Sequence, residues 1–582
     1  MNGPRLWAPE AKRVELVSRG ERTLLTRKAD GMWVLAQPLP PGTDYAFSVD
    51  GGQPLPDPRS REQPEGVHGP SRWVGTDFAW TDQAFRAPPL GSAVIYELHV
   101  GTFSTDGTFE GVIERLSHLQ KLGITHVELL PVAEFPGSRG WGYDVVDLYA
   151  PHHAYGGSQG LKRLVDACHA RGLAVLLDVV YNHLGPDGNY LPSYGPYLTD
   201  AYKTPWGSAV NLDGPHSTPV RRFFIDNALH WLSEYHFDGL RLDAVHALYD
   251  HSALHFLQQM AEEVALLSDQ LAKPLVLIAE SDLNDPRLVR PREASGFGLD
   301  AQWCDDLHHT LHSLLTGERQ GYYEDFGQIA QLARALENGY LYEGQYSAHR
   351  KRNFGYPFGD LSRRRLVTFL QNHDQVGNRA RGERIGHQTS ARRVQLGAAL
   401  VLLGPAVPML FQGEEWNASA PFQYFTDHQD AKLGDAVREG RRREFAAFGW
   451  APEDVPDPQA AATFEASRLD FSEIEAPQHA HMLAFYRELI SIRRRRPEFL
   501  PGRVRVRFDE AAGWLVMQRD QSSVAVNFSN EQRRVAAFDV TPTGDPRLLY
   551  ATEGARLQGS EIFLPAESLA VIVCAPDAEG LP

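Results

Sequence analysis

Between about Val94 and Leu500 the sequence alternates short apolar runs with stretches of helical period, and this alternation constrains the fold more than any other feature. Repeated βα units bury each strand on both faces and return the chain through a helix, so they build a parallel sheet. The candidate strands are Val94–Val100, His126–Pro131, Ala174–Val180, Gly239–Asp243, Leu275–Glu280, a sixth near Phe297–Trp303, Leu366–Asn372 and Pro408–Gln412. Phe109–Lys121, Leu161–Arg171, Val220–Tyr235 and His481–Arg494 supply helices, the last with Met482, Phe485, Tyr486, Leu489 and Ile492 at helical spacing. Eight strands with intervening helices suggest an α/β chain closed into a (β/α)8 TIM barrel. A doubly wound open sheet would show the same periodicity.

The flanking segments obey a different pattern. From Arg5 to about Ala79, β-prone runs (Val14–Val17, Trp33–Leu35, Tyr45–Val49) are separated by Asp30-Gly31, Pro40-Pro41-Gly42 and Asp50-Gly51-Gly52, as in a small immunoglobulin-like β-sandwich. After Arg496-Pro497, the runs Val504–Phe508, Trp514–Met517, Val524–Phe528 and Leu569–Val573 have the alternation of an antiparallel β domain. A chain of 582 residues is too long for one ordinary domain. The expected division is an N-terminal sandwich over 1–85, carbohydrate-binding-like in layout, a barrel with inserted loops over 86–500, and a C-terminal β-sandwich domain over 501–582. Trp73 and Trp80 could form a glucan platform on the first of these, but packing at a domain junction is the simpler expectation.

Charge and cysteine usage narrow the class of partner. A net charge of −17 repels polyanions, and the basic runs Arg363–Arg365 and Arg493–Arg496 are short, so nucleic acid is not expected; the second reads as a helix C-terminus favoured by the dipole. Three scattered cysteines fit a reducing cytoplasm rather than a disulfide framework. Met1–Arg13 lacks the pattern of an export signal, and the apolar run Leu396–Phe411 is broken by Gly404, Pro405 and Pro408, so neither export nor membrane insertion is expected.

A buried parallel strand reads apolar until it leaves the barrel, and five of these runs end in polar clusters: Asp178–His183, Gly239–His246, Ile278–Ser281, Phe369–Asp374 and Phe411–Glu415. In barrel enzymes that C-terminal rim is where chemistry is assembled. Arg241-x-Asp243 puts both side chains on one strand face, where the guanidinium holds the carboxylate ionised, as a nucleophile requires. Glu280 directly follows the apolar run Leu275–Ala279, and burial raises a carboxyl towards the range of a general acid. Asp374, after His373, adds a third charge suited to an oxocarbenium-like transition state. Ile95–His99 reads as core and supporting residues.

In this order the clusters Asp178–His183, Gly239–His246, Ala279-Glu280 and Asn372–Asp374 resemble the four short motifs of the α-amylase superfamily. That resemblance implies Asp243 as nucleophile, Glu280 as acid/base and Asp374 as transition-state stabiliser, on α-linked glucosides with retention of configuration. It also implies that Arg241, His183 and His373 complete the donor-sugar subsite, with His246 beside them and Tyr143 of Trp141–Asp144 stacked on the sugar. Pro56–Pro64, Tyr181–Tyr190, His373–Arg379 and Pro421–His428 are similar to the trehalose-releasing branch of that superfamily. The likeness implies cleavage of the α-1,4 bond next to the terminal trehalose of maltooligosyltrehalose, downstream of a synthase that forms that substrate, without a cofactor. For the trehalose side the candidates are Asp305, Asp306, His308 and His309 after Trp303, with Gln375 and Asn378; Cys304 and Leu307 depart from the superfamily pattern there.

Two other functions use the same residues. A 1,4-α-glucan branching enzyme differs in whether water or a sugar hydroxyl attacks the covalent intermediate. A non-catalytic α-glucan-binding barrel is disfavoured by the presence of all three acids. His308 and His312 with Asp305 form only a weak zinc pattern, and Asn182 matches a calcium position of some amylases without further identifiable ligands, so no metal is expected.

Overall fold

The computed structural model describes residues 3–446, 450–539 and 544–574; the outermost parts of the expected terminal domains, 1–2 and 575–582, lie outside the described residues. Each of the eight apolar runs yields one barrel strand: β1 (Ile95–Leu98), β2 (His126–Leu129), β3 (Ala174–Val179), β4 (Gly239–Leu242), β5 (Val276–Ala279), β6 (Ala301–Trp303), β7 (Leu366–Phe369) and β8 (Val407–Phe411). β8 returns to pair with β1 in the register Met409↔Ile95, Leu410↔Tyr96 and Phe411↔Glu97. The sheet is therefore a closed parallel barrel, and the open alternative is excluded.

The outer helices are α1 (Phe109–Leu122), α2 (Gly157–His169), α3 (Ser217–Glu234), α4 (Phe256–Leu271), α5 (Asp305–Thr316), α6 (Ile329–Asn338), α7 (Ala391–Leu402) and α8 (Pro477–Arg495). Between β5 and β6 two 3-10 turns, Pro286–Leu288 and Arg292–Ala294, take the place of a helix. α1 shows why such boundaries form: the Thr108 side chain accepts from the Gly111 amide at its start, and Gly123 ends it at φ 97°. A Cβ at Gly123 would also stand 2.8 Å from Ile490 on α8, so this glycine meets both a left-handed turn and a close approach. α2 begins four residues before the expected Leu161, because Gly156, Gly157 and Gly160 hide its start from propensity. Arg493 lies in the last turn of α8, as expected, and is buried there, where it donates to the carbonyls of Leu402, the last residue of α7, and of Ala406 just beyond it.

Inside the barrel, Ile95, Leu176, Ile278, Ala301, Val367, Phe369, Val407 and Met409 form an apolar cluster. The same strands carry Glu97, Glu128, Asp178 and Arg241 on β1 to β4, all buried. The apolar floor thus gives way to a charged layer near the strand ends, where the site is built.

On the N-terminal side, one sheet orders the strands Glu21–Leu24, Val14–Ser18, Thr43–Val49 and Ser71–Trp73, and another orders Arg5–Trp7, Met32–Val34 and Thr26–Arg27. Trp80 stacks on His236 with centroids 3.8 Å apart, so it packs at the junction with the barrel. On the C-terminal side a five-stranded antiparallel sheet (Arg505–Asp509, Trp514–Arg519, Ser522–Asn527, Ser568–Val573, Arg547–Ala551) packs on a three-stranded one through Val516, Ala525, Val535, Ile562, Leu564 and Ile572.

Candidate active site

Arg241, on β4, is the electrostatic centre of the barrel mouth. Its Nη1 donates to both oxygens of Asp178 on β3, at 2.9 and 2.8 Å, and to Oδ1 of Asp243 at 2.8 Å. Its guanidinium also lies 4.1 Å from the centroid of the Trp303 ring, which shields it from water on that side. Burial pushes Asp178 up, against Arg241, to about 6. The cation is thus shared between two carboxylates, and it orients Asp243 without being consumed by it.

Immediately after Asp243 the chain turns through Ala244 at φ 38°, a left-handed conformation that costs a non-glycine residue about 1–2 kcal/mol. The turn aims the Ala244 amide at Oε2 of Glu280, just past the end of β5, and so ties the two acids to one backbone unit. Glu280 is pushed well above the usual carboxyl range by burial, which Arg241 opposes, with the charges of Asp243, Asp374 and Asp305 adding smaller pushes upward. The side chains of Asp243 and Glu280 are only 11% and 17% exposed, whereas Asp374 is 40% exposed, so the first two sit deeper.

Asp374 is the second residue of a short helix, His373–Gly377, and its amide and that of Gln375 are capped by the Asn372 side chain. His373 is held from beneath by Glu97 of β1, which accepts from the His373 amide at 3.0 Å and contacts Nδ1 at 2.6 Å. Burial pulls this imidazole down, but Asp374 and Glu97 outweigh it and hold His373 up at about 9. Tyr143 stacks on His373 at 5.1 Å, with its hydroxyl bonded to Asp178 (2.6 Å) and to His373 Nε2 (2.8 Å). His183 contacts the Tyr143 carbonyl at 3.1 Å and is covered by Trp206, at 4.5 Å and nearly parallel. His246 is exposed on the turn Val245–Ala247 just past Asp243.

Asp305, one of the charges that act on Glu280, lines a cleft with Asp282, Asp306, His309, Tyr322 and Arg350. Asp305 is raised to about 7, by burial first and then by Asp282 and Asp374. Gln375 has a buried side-chain oxygen with no protein partner, and Asn378 donates to Asp374 at 3.1 Å.

Two expected sugar contacts prove to be anchors. His308 is 1% exposed, with its ring nitrogens taken by the Leu370 carbonyl and the Tyr323 hydroxyl, so it is not presented to a ligand. Asp306 spends Oδ2 on the amides of Leu341 and Tyr342 and on Asn284, and shapes the cleft wall by fixing that loop. His312 pairs with Glu318, and Asn182 is fully buried with both amide atoms unpartnered. Among the described residues the one group of His, Cys, Asp and Glu spaced for a metal is Glu134, His152 and His153, which does not include either position.

Sequence reasoning placed Glu97 only in a general way, among the core and supporting residues of the first strand, and missed Trp206, Trp303, Asp282, Tyr322 and Arg350. Glu97 had a usable signal, an acid on the inward parity of a buried strand; Arg350 lies in a loop with no periodicity to read.

An α-amylase catalytic domain model matches residues 78–197, and a domain of unknown function, DUF3459, matches 501–571. The chain is 53% identical over 90% of its length to the malto-oligosyltrehalose trehalohydrolase of Arthrobacter ramosus, covering 92% of that protein. It is 46% identical, over 97% of each chain, to the enzyme of the same name from Rhizobium sp.. A Corynebacterium jeikeium 1,4-alpha-glucan branching enzyme is 30% identical over 51% of this chain and 47% of its own. Among solved structures, a Salmonella typhimurium protein named as an alpha amylase superposes with a TM-score of 0.88, at 37% identity over 98% of this chain and 97% of that one. With likeness of this degree along nearly its whole length, the chain belongs to the malto-oligosyltrehalose trehalohydrolase family of α-amylase-type glycoside hydrolases.

Proposed function

We propose that this enzyme cleaves the α-1,4 bond next to the terminal trehalose of maltooligosyltrehalose by a retaining mechanism, releasing trehalose and a maltooligosaccharide. Asp243, oriented by Arg241, attacks the anomeric carbon while Glu280 gives its proton to the departing oxygen; water then attacks the glycosyl ester as Glu280 takes a proton back. Asp374 and the Glu97-supported His373 stabilise the oxocarbenium-like charge between these steps. Tyr143, His183, Arg241 and His246 hold the reacting glucose. Asp305, His309, Gln375 and Asn378 receive trehalose, and Asp306 and His308 position that wall.

The carrying observation is the raised, Ala244-bound Glu280 standing beside the Arg241-held Asp243 at one barrel mouth. The full-length relatives support trehalose as leaving group, whereas the branching-enzyme likeness spans half the chain. Incubation with maltooligosyltrehalose and with plain maltooligosaccharide tests the reading. Free trehalose from the first and slow cleavage of the second are expected; new α-1,6 branches would overturn it.

The same reading divides the chain at 85/86 and 500/501, places the enzyme after a maltooligosyltrehalose-forming synthase in trehalose biosynthesis, and assigns it to the cytoplasm. The three buried free cysteines support the last point.

Asp305 yields a pH prediction. Its charge is among those that raise Glu280, so Asp305→Asn lowers the pKa of the general acid. The proton is then lost at lower pH, and the alkaline limb of kcat/KM is expected to move towards acid by about half a unit to one unit. A limb that stays put would show that Asp305 does not act on Glu280.

A further inference from the structure

A cleft of about 390 Å3, away from the leaving-side wall, is lined by Glu65, His68, His153, Asp427 and Gln429. We propose that it is the far end of the path taken by the maltooligosyl chain, so that the N-terminal segment 65–68 reads the length of the substrate. This rests on the function proposed above.

Direction follows from the acid. Glu280 must face the departing oxygen, and Asp305 of the leaving-side cleft is among the charges that act on it, so the sugar chain kept by the enzyme is directed away from that cleft, over the loops that follow β2, β3 and β8. A chain of polar contacts, partly buried, ties those loops to the cleft. Asp144 follows Tyr143 and stands 3.8 Å from His428; the next residue, Gln429, donates its amide to Asp187 at 2.9 Å; and the other oxygen of Asp187 meets His68 Nε2 at 3.0 Å.

The walls are preformed. Gly137 has φ +76°, and a Cβ there would stand 2.3 Å from the Asp427 carbonyl, so the loops after β2 and β8 touch through backbone. Val67 packs so closely on Gly188 that a Cβ at Gly188 would lie 2.6 Å from it, docking the N-terminal segment onto the loop after β3. A path that needs no ordering on binding retains more of each contact as affinity.

The chemistry suits a neutral polyol. Glu65 and Gln429 are exposed, and His153 commits Nδ1 to Glu134 while Nε2 makes no protein hydrogen bond. Exposed Glu65 disfavours an anion, Asp427 is paired with Arg139 at 3.0 Å, and the mixed donors and acceptors match sugar hydroxyls.

The test is kcat/KM for maltosyl-, maltotriosyl- and maltopentaosyltrehalose. In the wild type the value is expected to rise with chain length. In His68→Ala, and in Gln429→Ala, which removes an exposed side chain and so guards against misfolding, the ratio of longest to shortest is expected to fall about tenfold, one decade of affinity. Trehalose release with an unchanged ratio in both variants, or a wild type indifferent to length, would overturn the cleft assignment alone. No trehalose from any length would overturn the function and this inference together.

Discussion

Glu280→Ala is expected to lower turnover of maltooligosyltrehalose by several orders of magnitude, with loss of general-acid assistance alone accounting for about 10²–10⁴. A maltosyl fluoride needs no proton on its leaving group, so its first step survives the substitution, and the glycosyl ester on Asp243 accumulates as a burst. Azide, which needs no general base, then restores turnover and yields an α-glycosyl azide, because it attacks from the face opposite Asp243. A β-configured azide from this variant would overturn the retaining assignment. Asp243→Asn removes the proposed nucleophile and is expected to cost on the order of 10⁴–10⁶ on both substrates. Near-normal rates there would remove Asp243 from the mechanism.

These expectations rest on the part of the molecule that the sequence exposes most clearly. A parallel strand buried on both faces has to be apolar, so the eight barrel strands stand out, and the acids stand out where each apolar run stops. Asp243 and Glu280 fall one residue beyond β4 and β5, as that logic requires. Support from across the barrel is harder to read. Glu97 and His373 are 276 positions apart, and only closure between β8 and β1 brings them together.

The leaving-side candidates divide into two sets for a helical reason. A run of polar residues on a helix cannot all face one cleft, because each step turns the side chain by about 100°. Asp305 and His309, four apart on α5, share the face towards the cleft and are half-buried. His308 and His312 share another face and are buried against Tyr323 and Glu318. A cluster treated as one polar patch in the sequence is therefore two faces in the fold, and Asp305 and His309 are on the one that faces the cleft.

Arg241→Met is expected to be the most damaging substitution outside the three acids, for stability as well as for activity. Among the described residues it removes the cation that bonds directly to Asp178 and Asp243, and it leaves buried Asp178 with no cation in direct contact, only the more distant charge of His373. Breaking a buried pair from one side costs about 3–5 kcal/mol, since the remaining charge keeps its desolvation penalty. Asp178 already stands at about 6, above its unfolded value, so its ionisation in the fold opposes stability as pH rises. Without Arg241 its pKa rises further, and the variant loses more stability than the wild type between about pH 4 and pH 8, with the deficit smallest in acid. Urea midpoints measured across that range test the sign. Adding Asp178→Asn to Arg241→Met is expected to recover much of the stability and none of the activity, because Asp243 still lacks the guanidinium that orients it. A double variant no more stable than Arg241→Met would show that the loss comes from packing against Trp303 and not from the stranded carboxylate.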